Sequence, residues 1–275
     1  FVQLSLDANP AGAEDDDPYG IITLDLSNAF NEVSRELLQD VLRGEASRDY
    51  ALGRIRAGDP MPCPPGLQKF RPHFEAYYGT AAHLTYVGHD GSSHRVLSAT
   101  GVQQGDVWST TLFCAAIFPI LKAVLGDPDL VDLVLACCFS DNLQLLGRLS
   151  KILKAADLLR QALAEVGLRL NATDSKVHSR VFALLADEGE ALWGAIQEQF
   201  PLTVLQREPA GLLVVGTPIG SDDFCREVLQ ARLKRIVDVL PKIGIVHDGL
   251  IHFQLLRTCL NTRLNFWLRC VAPRI

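Results

Sequence analysis

The stretch Gly20–Val33, GIITLDLSNAFNEV, joins two patterns in one short segment. Its first five residues, Gly20–Leu24, are mostly apolar and are typical of a buried strand. The strand ends on Asp25, an acidic side chain that stands out beside so apolar a run. From Ala29 to Val41 the apolar residues recur at helical spacing. This stretch therefore predicts a buried strand that ends on a carboxylate and leads into a helix.

A second acidic residue of this kind is Asp141, which lies in the segment Ser140–Asn142 between two apolar runs, Leu133–Phe139 and Leu143–Leu146. Two such runs around a short polar turn predict a hairpin with Asp141 at its tip. Carboxylates at strand ends can meet at one edge of a sheet, where they can hold divalent cations for phosphoryl transfer. Taken singly, each aspartate is more often a turn or cap residue.

The remaining segments mix predicted strands and helices without strict alternation, which favours an α+β fold over a doubly wound sheet. Residues 1–19 are predicted to form an acidic loop. We expect paired strands at His83–Gly88 and Arg95–Thr100, an apolar helix ending near Gly126, an amphipathic helix at Leu149–Val166, a strand at Lys176–Leu185, a hairpin near 211–221, a helix from Ser221 to Leu240 and a last helical pattern at 249–271.

Five segments follow one another in the order of the motifs of reverse transcriptases. Leu24–Val33 resembles their first palm motif, and Gly101–Asp106, GVQQGD, is similar to the second. Phe139–Asn142, FSDN, stands where the family has an aromatic residue, any residue and two aspartates. Gly167–Lys176 resembles the fourth motif, and Leu212–Ser221 resembles the hairpin that grips the primer end. The chain thus resembles the palm and thumb of a reverse transcriptase of the non-LTR retrotransposon or group II intron type.

The resemblance implies a particular architecture. Residues 20–222 would form a polymerase palm with a ferredoxin-like β-α-β-β-α-β core, in which a primer-grip-like hairpin lies near 211–221. Residues 223–275, which include the thumb-like segment Leu255–Cys259, would form a helical thumb. Relatives carry their fingers upstream of the first palm motif, so we expect the fingers to be largely missing from this chain.

The resemblance also implies a set of metal ligands. Asp25 and Asp141 would be catalytic and would bind two Mg²⁺ ions, with help from the backbone carbonyl of Leu26. The implied activity is that of an RNA-directed DNA polymerase, whose two metal ions activate the primer 3′-hydroxyl and neutralise the leaving group. The partners implied are an RNA template and a DNA primer, with other protein chains or a ribonucleoprotein as further candidates.

Four other residues receive roles from the resemblance. Phe30 would lie under the incoming sugar and exclude a 2′-hydroxyl, although helical spacing makes it equally typical of a core aromatic. Gln104 and Gly105 would contact nucleotide and template, with glycine allowing close backbone approach. Lys176 would protonate the leaving pyrophosphate, although it is equally typical of a solvated lysine at a strand end.

One position departs from the family, because Asn142 replaces the second aspartate of the hairpin. The substitution removes a carboxylate beside the metal ions and leaves two interpretations open. The chain is either an active polymerase domain or a catalytically degenerate one that serves as an RNA-binding or structural module in a larger complex. A third alternative, an RNA-templated RNA polymerase, is disfavoured by Phe30.

Composition adds expectations about compartment and charge. The seven cysteines form no CxxC pair, which favours free buried thiols in an intracellular, reducing compartment. We find no pattern of a signal peptide or of a membrane span, so we expect no membrane partner. Residues 225–275 carry nine Lys and Arg against three Asp and Glu, in a chain whose net charge is −6. This basic end predicts either a phosphate-facing surface or a solvated helix face.

Overall fold

The computed structural model describes residues 17–130, 133–184, 186–199 and 205–262, together with Leu6 and Phe266. The chain divides into two compact units. The larger unit comprises Ile21–Ser175 and Ile196–Gln206, and the smaller unit comprises Phe1–Gly20, Lys176–Ala195 and Arg207–Ile275. Most of the predicted acidic loop at residues 1–19 lies outside the described residues.

The described residues form both strands and helices. The strands are β1 (Tyr19–Ser27), β2 (Ala82–Val87), β3 (Ser93–Ser98), β4 (Leu133–Phe139), β5 (Asn142–Arg148), β6 (Arg169–Leu170), β7 (Lys176–Ser179), β8 (Gln206–Arg207), β9 (Gly211–Val214) and β10 (Thr217–Gly220). The α-helices are α1 (Ala29–Glu32), α2 (Arg35–Arg43), α3 (Arg71–Tyr78), α4 (Ser109–Leu125), α5 (Leu149–Ala164), α6 (Val181–Leu184), α7 (Ala186–Gln199), α8 (Asp222–Val237), α9 (Leu240–Gly244) and α10 (Gly249–Leu255). Two 3₁₀ turns lie at Leu67–Phe70 and Pro128–Leu130, and a π-helical turn spans Leu256–Asn261.

The sheet of the larger unit has the strand order β4–β5–β1, and β6 pairs with β1. Strands β4 and β5 form the predicted antiparallel hairpin, in which Phe139 pairs with Asn142. Strand β1 is central and its Ile21, Ile22 and Leu24 are fully buried, which explains why its sequence is apolar on both faces. The mixture of helices with antiparallel strands agrees with the α+β prediction.

The chain turns sharply after β1. Asn28 adopts a left-handed backbone conformation with φ of 49° and starts the single-turn helix α1. Ser34 then caps α2, accepting a hydrogen bond from the Leu37 N–H at 3.3 Å, while its own N–H donates to the carbonyl of Val166. The helical pattern predicted from Ala29 to Val41 is therefore two helices, because the serine cap and a tertiary hydrogen bond interrupt it.

Helices α4 and α5 pack against each other in the larger unit. Their inward residues are apolar and almost fully buried, including Phe113, Ile117, Ile152 and Leu159, each with at most 1% of its surface exposed. Helix α5 ends just before Gly167, whose φ of 86° is the left-handed conformation that favours glycine after a helix. Both helices lie close to the positions expected from sequence periodicity.

The smaller unit contains the predicted hairpin, β9–β10, followed by α8. Ser221 caps α8 by accepting a hydrogen bond from the Phe224 N–H at 3.2 Å, as a serine before an acidic first turn predicts. Further along the chain, a small apolar cluster forms around Ile236, Ile243 and Leu260. These contacts join α8, α9 and the π-helical turn after α10.

Three predictions about the elements need correction. The strand predicted at Lys176–Leu185 ends at Ser179 and is followed by the helical turn α6. Helices α3 and α7 lie where we predicted no helix. The last helical pattern begins as predicted at Gly249 but changes to π geometry at Leu256, and most of its remainder lies outside the described residues. Within the described part of the chain, no helix is both long and apolar enough to cross a membrane.

Candidate active site

The two aspartates singled out by the sequence lie near each other in the larger unit. Asp25 is near the end of β1 and is half-buried, and Asp141 is at the tip of the β4–β5 hairpin. Burial raises the pKa of Asp25 above its ordinary value, a hydrogen bond from Asn171 lowers it, and the negative charges of Asp141 and Asp174 raise it. The electrostatic influence of Asp141 on Asp25 means that the fold brings these carboxylates into one neighbourhood.

The backbone of Asp25 is held by the loop at Asn171–Ser175. The Asn171 N–H donates to the Asp25 carbonyl at 2.8 Å. The Asp25 N–H donates to the hydroxyl of Ser175 at 3.2 Å, and Ser175 is fully buried. Both backbone polar groups of Asp25 therefore have partners, which fixes the direction in which its side chain leaves the strand.

The side chain of Asn171 is a bridge between two carboxylates. Its Nδ2 donates to Asp25 Oδ2 at 3.2 Å and to Asp174 Oδ2 at 2.7 Å. Its Oδ1 accepts hydrogen bonds from the N–H and the hydroxyl of Thr173, at 3.0 and 2.6 Å. Because all of its polar atoms are engaged, Asn171 cannot rotate without releasing the carboxylate of Asp25.

The hairpin tip has an unusual backbone. Ser140 has a φ of 57°, a left-handed conformation that a serine seldom adopts. The thiol of Cys138 donates to the Ser140 carbonyl at 3.0 Å, and burial raises the pKa of this thiol to about 12, so it is neutral at physiological pH. Asn142 donates its side-chain N–H to Asp141 Oδ1 at 3.3 Å. Asn142 is thus a hydrogen-bond donor to the carboxylate of Asp141.

The donor set fits a hard divalent cation. Asp25 and Asp141 supply carboxylate oxygens, Asp174 lies beside Asp25, and oxygen ligands are those that Mg²⁺ prefers. Burial and the negative charges of Asp141 and Asp174 raise the pKa of Asp25, and a bound cation would offset both effects. Within the described ranges, no three His, Cys, Asp or Glu side chains meet in a metal-binding arrangement. A cation at this place would therefore depend on two carboxylates, the backbone carbonyl of Leu26, and water.

Gly101–Asp106, the segment that resembles the second palm motif, is hydrogen-bonded to Leu24–Val33, the segment that resembles the first. The Gly101 N–H donates to the Val33 carbonyl at 2.9 Å, and the Val102 N–H donates to the Phe30 carbonyl at 2.6 Å. The approach is so close that a Cβ at Gly101 would lie 2.3 Å from the carbonyl oxygen of Asn31. The two motifs that the resemblance links in function are therefore in direct backbone contact.

The candidate nucleotide-binding residues differ in their environments. The ring of Phe30 packs against that of Phe113, with centroids 4.9 Å apart. This contact supports the alternative in which Phe30 is a core aromatic, although its ring remains half-exposed. Gln104 and Gly105 are both exposed, and a Cβ added at Gly105 would meet no described atom within 4 Å. Their backbone is therefore open to a ligand.

Lys176 belongs to the smaller unit and begins β7. Its ammonium group forms an ion pair with Glu208, with Nζ 2.6 Å from Oε1. The neighbouring His178 is almost fully buried, bonds the Glu208 carbonyl through Nδ1 and has a pKa lowered chiefly by burial. Lys176 is therefore a paired lysine at a strand end, and its role as a proton donor stays a prediction.

Sequence reasoning did not single out Asp174 and Ser175, or Arg35 and Tyr78, whose contacts are described below. One signal was available for the first pair. An asparagine followed two residues later by threonine is typical of an Asx turn, and the structure contains that turn at Asn171. The partner of this turn, Asp25, lies 146 positions earlier in the chain and leaves no local signal.

No protein-family model matches this chain, and no curated protein matches it. Among solved structures, the chain is similar to telomerase from Candida albicans in complex with a TWJ fragment of telomeric RNA, with 16% sequence identity, coverage of 64% of this chain and 29% of that chain, and a TM-score of 0.41. It is also similar to apo telomerase from Candida tropicalis truncated from its C-terminal domain, with 14% identity, coverage of 57% and 30%, and a TM-score of 0.38. This chain spans less than a third of the length of either protein. Because these scores are low, the proposals below rest on the residues and contacts of this chain.

Proposed function

We propose that this chain is the palm region of an RNA-directed DNA polymerase of the non-LTR retrotransposon or group II intron type, acting on an RNA template and a DNA primer. The observation that carries the proposal is that Asp25, near the end of β1, and Asp141, at the tip of the β4–β5 hairpin, lie close enough for the charge of Asp141 to raise the pKa of Asp25. Two neighbouring carboxylates supply oxygen ligands of the kind that the divalent cations of nucleotidyl transfer need.

The order of the elements supports the same proposal. Along the chain, β1, α4, β4, β5, α5 and β6 follow one another as β-α-β-β-α-β, with helices α1 to α3, a 3₁₀ turn and the β2–β3 pair inserted between β1 and α4. In the sheet, β6 lies beside β1, β1 beside β5, and β5 beside β4. This strand order is the one expected of a ferredoxin-like core and so supports the proposal of a polymerase palm.

The proposal gives each candidate residue a role in the reaction. Asp25 and Asp141 would hold the cations, and Asn171 would keep the Asp25 carboxylate in a single orientation. Bound there, divalent ions supply a more acidic 3′-hydroxyl and charge neutralisation at the leaving pyrophosphate. Phe30, Gln104 and Gly105 would face the incoming nucleotide and template. Lys176 would supply a proton only after it leaves Glu208.

A second candidate function is a non-catalytic palm that binds RNA or assembles with other chains. The hydrogen bond from Asn142 to Asp141 favours it, because the amide occupies one carboxylate oxygen without adding negative charge. The ion pair between Lys176 and Glu208 favours it as well, since a proton donor engaged by a carboxylate is less available for transfer.

Primer extension on an RNA template, with Mg²⁺ titrated, separates the two functions. We expect wild type to extend the primer, Asn142→Asp to reach half-maximal rate at lower Mg²⁺, and Asp141→Asn to lose at least about 100-fold in rate. Asp157→Asn is the matched control, since Asp157 pairs with Arg160 on helix α5 and should leave the rate unchanged. Absence of extension by both wild type and Asn142→Asp would favour the non-catalytic function.

A further inference from the structure

The loop that resembles the second palm motif contains a tight β-turn at Gln103–Asp106. The Asp106 N–H donates to the Gln103 carbonyl at 3.1 Å, which closes the turn. Its two central residues are Gln104 and Gly105, and Gly105 has a φ of 93°. A positive φ at the third position is typical of a type II turn, where glycine is favoured. The turn projects Gln104 and Gly105 into solvent.

A single hydroxyl group holds both ends of this turn. The Tyr78 hydroxyl accepts a hydrogen bond from the Gln103 N–H at 3.2 Å and donates one to Asp106 Oδ2 at 2.9 Å. Tyr78 lies at the end of α3, is almost buried and stacks against Phe74, so its ring is fixed. The hydroxyl is therefore a rigid clamp on the first and last residues of the turn.

The guanidinium group of Arg35 fixes the segment that enters the loop. Its Nε donates to the Gly101 carbonyl at 2.8 Å, and its two terminal nitrogens donate to the carbonyl and the hydroxyl of Ser98, at 3.0 and 2.9 Å. The same group lies over the ring of Tyr78, with Cζ 5.3 Å from the ring centroid. Arg35 thus contacts both the chain before the turn and the residue that clamps it.

Arg35 also connects the loop to the strand that carries Asp25. It is the first residue of α2, which follows β1 after one short turn. In that turn, the carbonyls of Phe30 and Val33 accept the N–H groups of Val102 and Gly101. The segment that enters the Gln103–Asp106 turn is therefore hydrogen-bonded both to Arg35 of α2 and to the short segment that joins β1 to α2.

We propose that Arg35 and Tyr78 are positioning residues that hold the Gln103–Asp106 turn in the shape in which Gln104 and Gly105 meet the nucleotide and template. This inference rests on the proposed function, because the contact of the turn with nucleotide and template is taken from that proposal. The two central residues have no buried side-chain packing of their own to fix them. The shape of the turn therefore depends on the bonds at its ends.

The test uses the full chain with Tyr78→Phe, which keeps the ring and removes both hydrogen bonds to the turn. We expect the KM for the incoming deoxynucleotide to rise on the order of tenfold, while kcat stays within about twofold. Tyr77→Phe is the matched control, because the neighbouring tyrosine is 69% exposed and its ring lies against His73. Arg35→Lys keeps the charge, loses the fork geometry and should raise the same KM.

Hydrogen exchange of the amide of Gln103 provides a readout that needs no catalysis. This amide should exchange faster in Tyr78→Phe than in wild type, while amides of α5 are unchanged. Unchanged exchange at Gln103, or a fall in kcat without a rise in KM, would overturn the inference. If neither wild type nor Asn142→Asp extends the primer while exchange at Gln103 is still faster in Tyr78→Phe, the proposed polymerase function is overturned and Tyr78 remains the clamp of the turn.

Discussion

Asp25 is subject to opposing influences that decide its protonation. Burial and the charges of Asp141 and Asp174 raise its pKa, and the hydrogen bond from Asn171 lowers it. Because the net pKa in the folded state is above the ordinary value, ionised Asp25 destabilises the fold at pH values above that pKa. A bound cation would offset both the burial and the neighbouring negative charges that disfavour ionised Asp25, as expected of a functional carboxylate.

Asn171→Ala tests this balance. Removal of the hydrogen bond that lowers the pKa of Asp25 should raise that pKa further, so the acidic limb of the rate–pH profile should move to higher pH. The extension rate should fall at the acidic end of the profile and recover as pH rises. Rate–pH profiles of Mg²⁺-dependent primer extension give the measurement.

The control for Asn171→Ala is Gln161→Ala, which removes an amide that bonds Asp157 on α5. Its profile should coincide with that of wild type. A uniform loss of rate at every pH in Asn171→Ala would contradict the electrostatic role and leave Asn171 with a structural role alone.

At the scale of single residues, the sequence identified the two aspartates but not the residues that hold them in place. Asp25 and Asp141 were predictable because each interrupts an apolar run. The contacts of Asp25 with Asn171 and Ser175 join residues 146 and 150 positions apart, and no local pattern encodes such pairs. The bond from Asn142 to Asp141 was not predicted either, because an amide at that position can face solvent or its neighbour.

At the scale of elements, close backbone contact between the loop at Gly101 and the α1 turn determines how these two segments pack. Gly101 has a φ of 68°, and its Cα lies so close to the α1 turn that a Cβ would be 2.3 Å from the carbonyl carbon of Asn31. Gly105 also has a positive φ, of 93°, but its surroundings are open within 4 Å. Gly101 therefore meets both a positive φ and a lack of space for a side chain, whereas Gly105 meets only a positive φ.

Alanine substitution at each glycine should separate the cost of a positive φ from the cost of a steric clash. Gly101→Ala combines a strained φ with a clash against backbone that cannot move aside, and it should lower the free energy of unfolding by about 2–4 kcal/mol. Gly105→Ala should cost about 1 kcal/mol, since strain acts there alone. Urea unfolding followed by circular dichroism measures both. Equal losses for the two variants would mean that the close approach at Gly101 does not constrain the fold.

The elements themselves were predictable where hydrophobic periodicity was strong. Helices α4 and α5 and the β4–β5 hairpin lie close to their expected positions, because each has a long apolar pattern. Helix α3 was missed because it follows a proline-rich segment and has a mostly exposed surface. Because α3 was not predicted, the role of its last residue, Tyr78, in holding the Gln103–Asp106 turn was not predicted either.

At the scale of the whole molecule, charge is distributed unevenly along the chain. The net charge is −6, yet residues 225–275 carry nine Lys and Arg against three Asp and Glu. Among the basic residues, Lys234, Arg235 and Lys242 are exposed on α8 and α9. An acidic protein with a basic C-terminal segment is expected to approach nucleic acid through that segment, because repulsion disfavours the rest.

The salt dependence of nucleic-acid binding tests the basic segment. If Lys234, Arg235 and Lys242 each neutralise a phosphate, replacing all three by alanine should reduce the slope of log affinity against log salt by up to about 2.7 on duplex DNA. Binding should be nearly indifferent to base order, because phosphate contacts carry no sequence information. Filter binding at several salt concentrations, on two duplexes of different sequence, measures both quantities.

The matched control removes the same charge elsewhere. Arg43, Lys69 and Lys122 are exposed on the larger unit, and their triple alanine variant loses three positive charges without touching the basic segment. If the segment contacts phosphate, this variant keeps the wild-type slope while the Lys234, Arg235 and Lys242 variant does not, because counterion release depends on contact rather than on net charge. Equal slopes in both variants and wild type would mean that the three C-terminal cations solvate exposed helices and touch no phosphate.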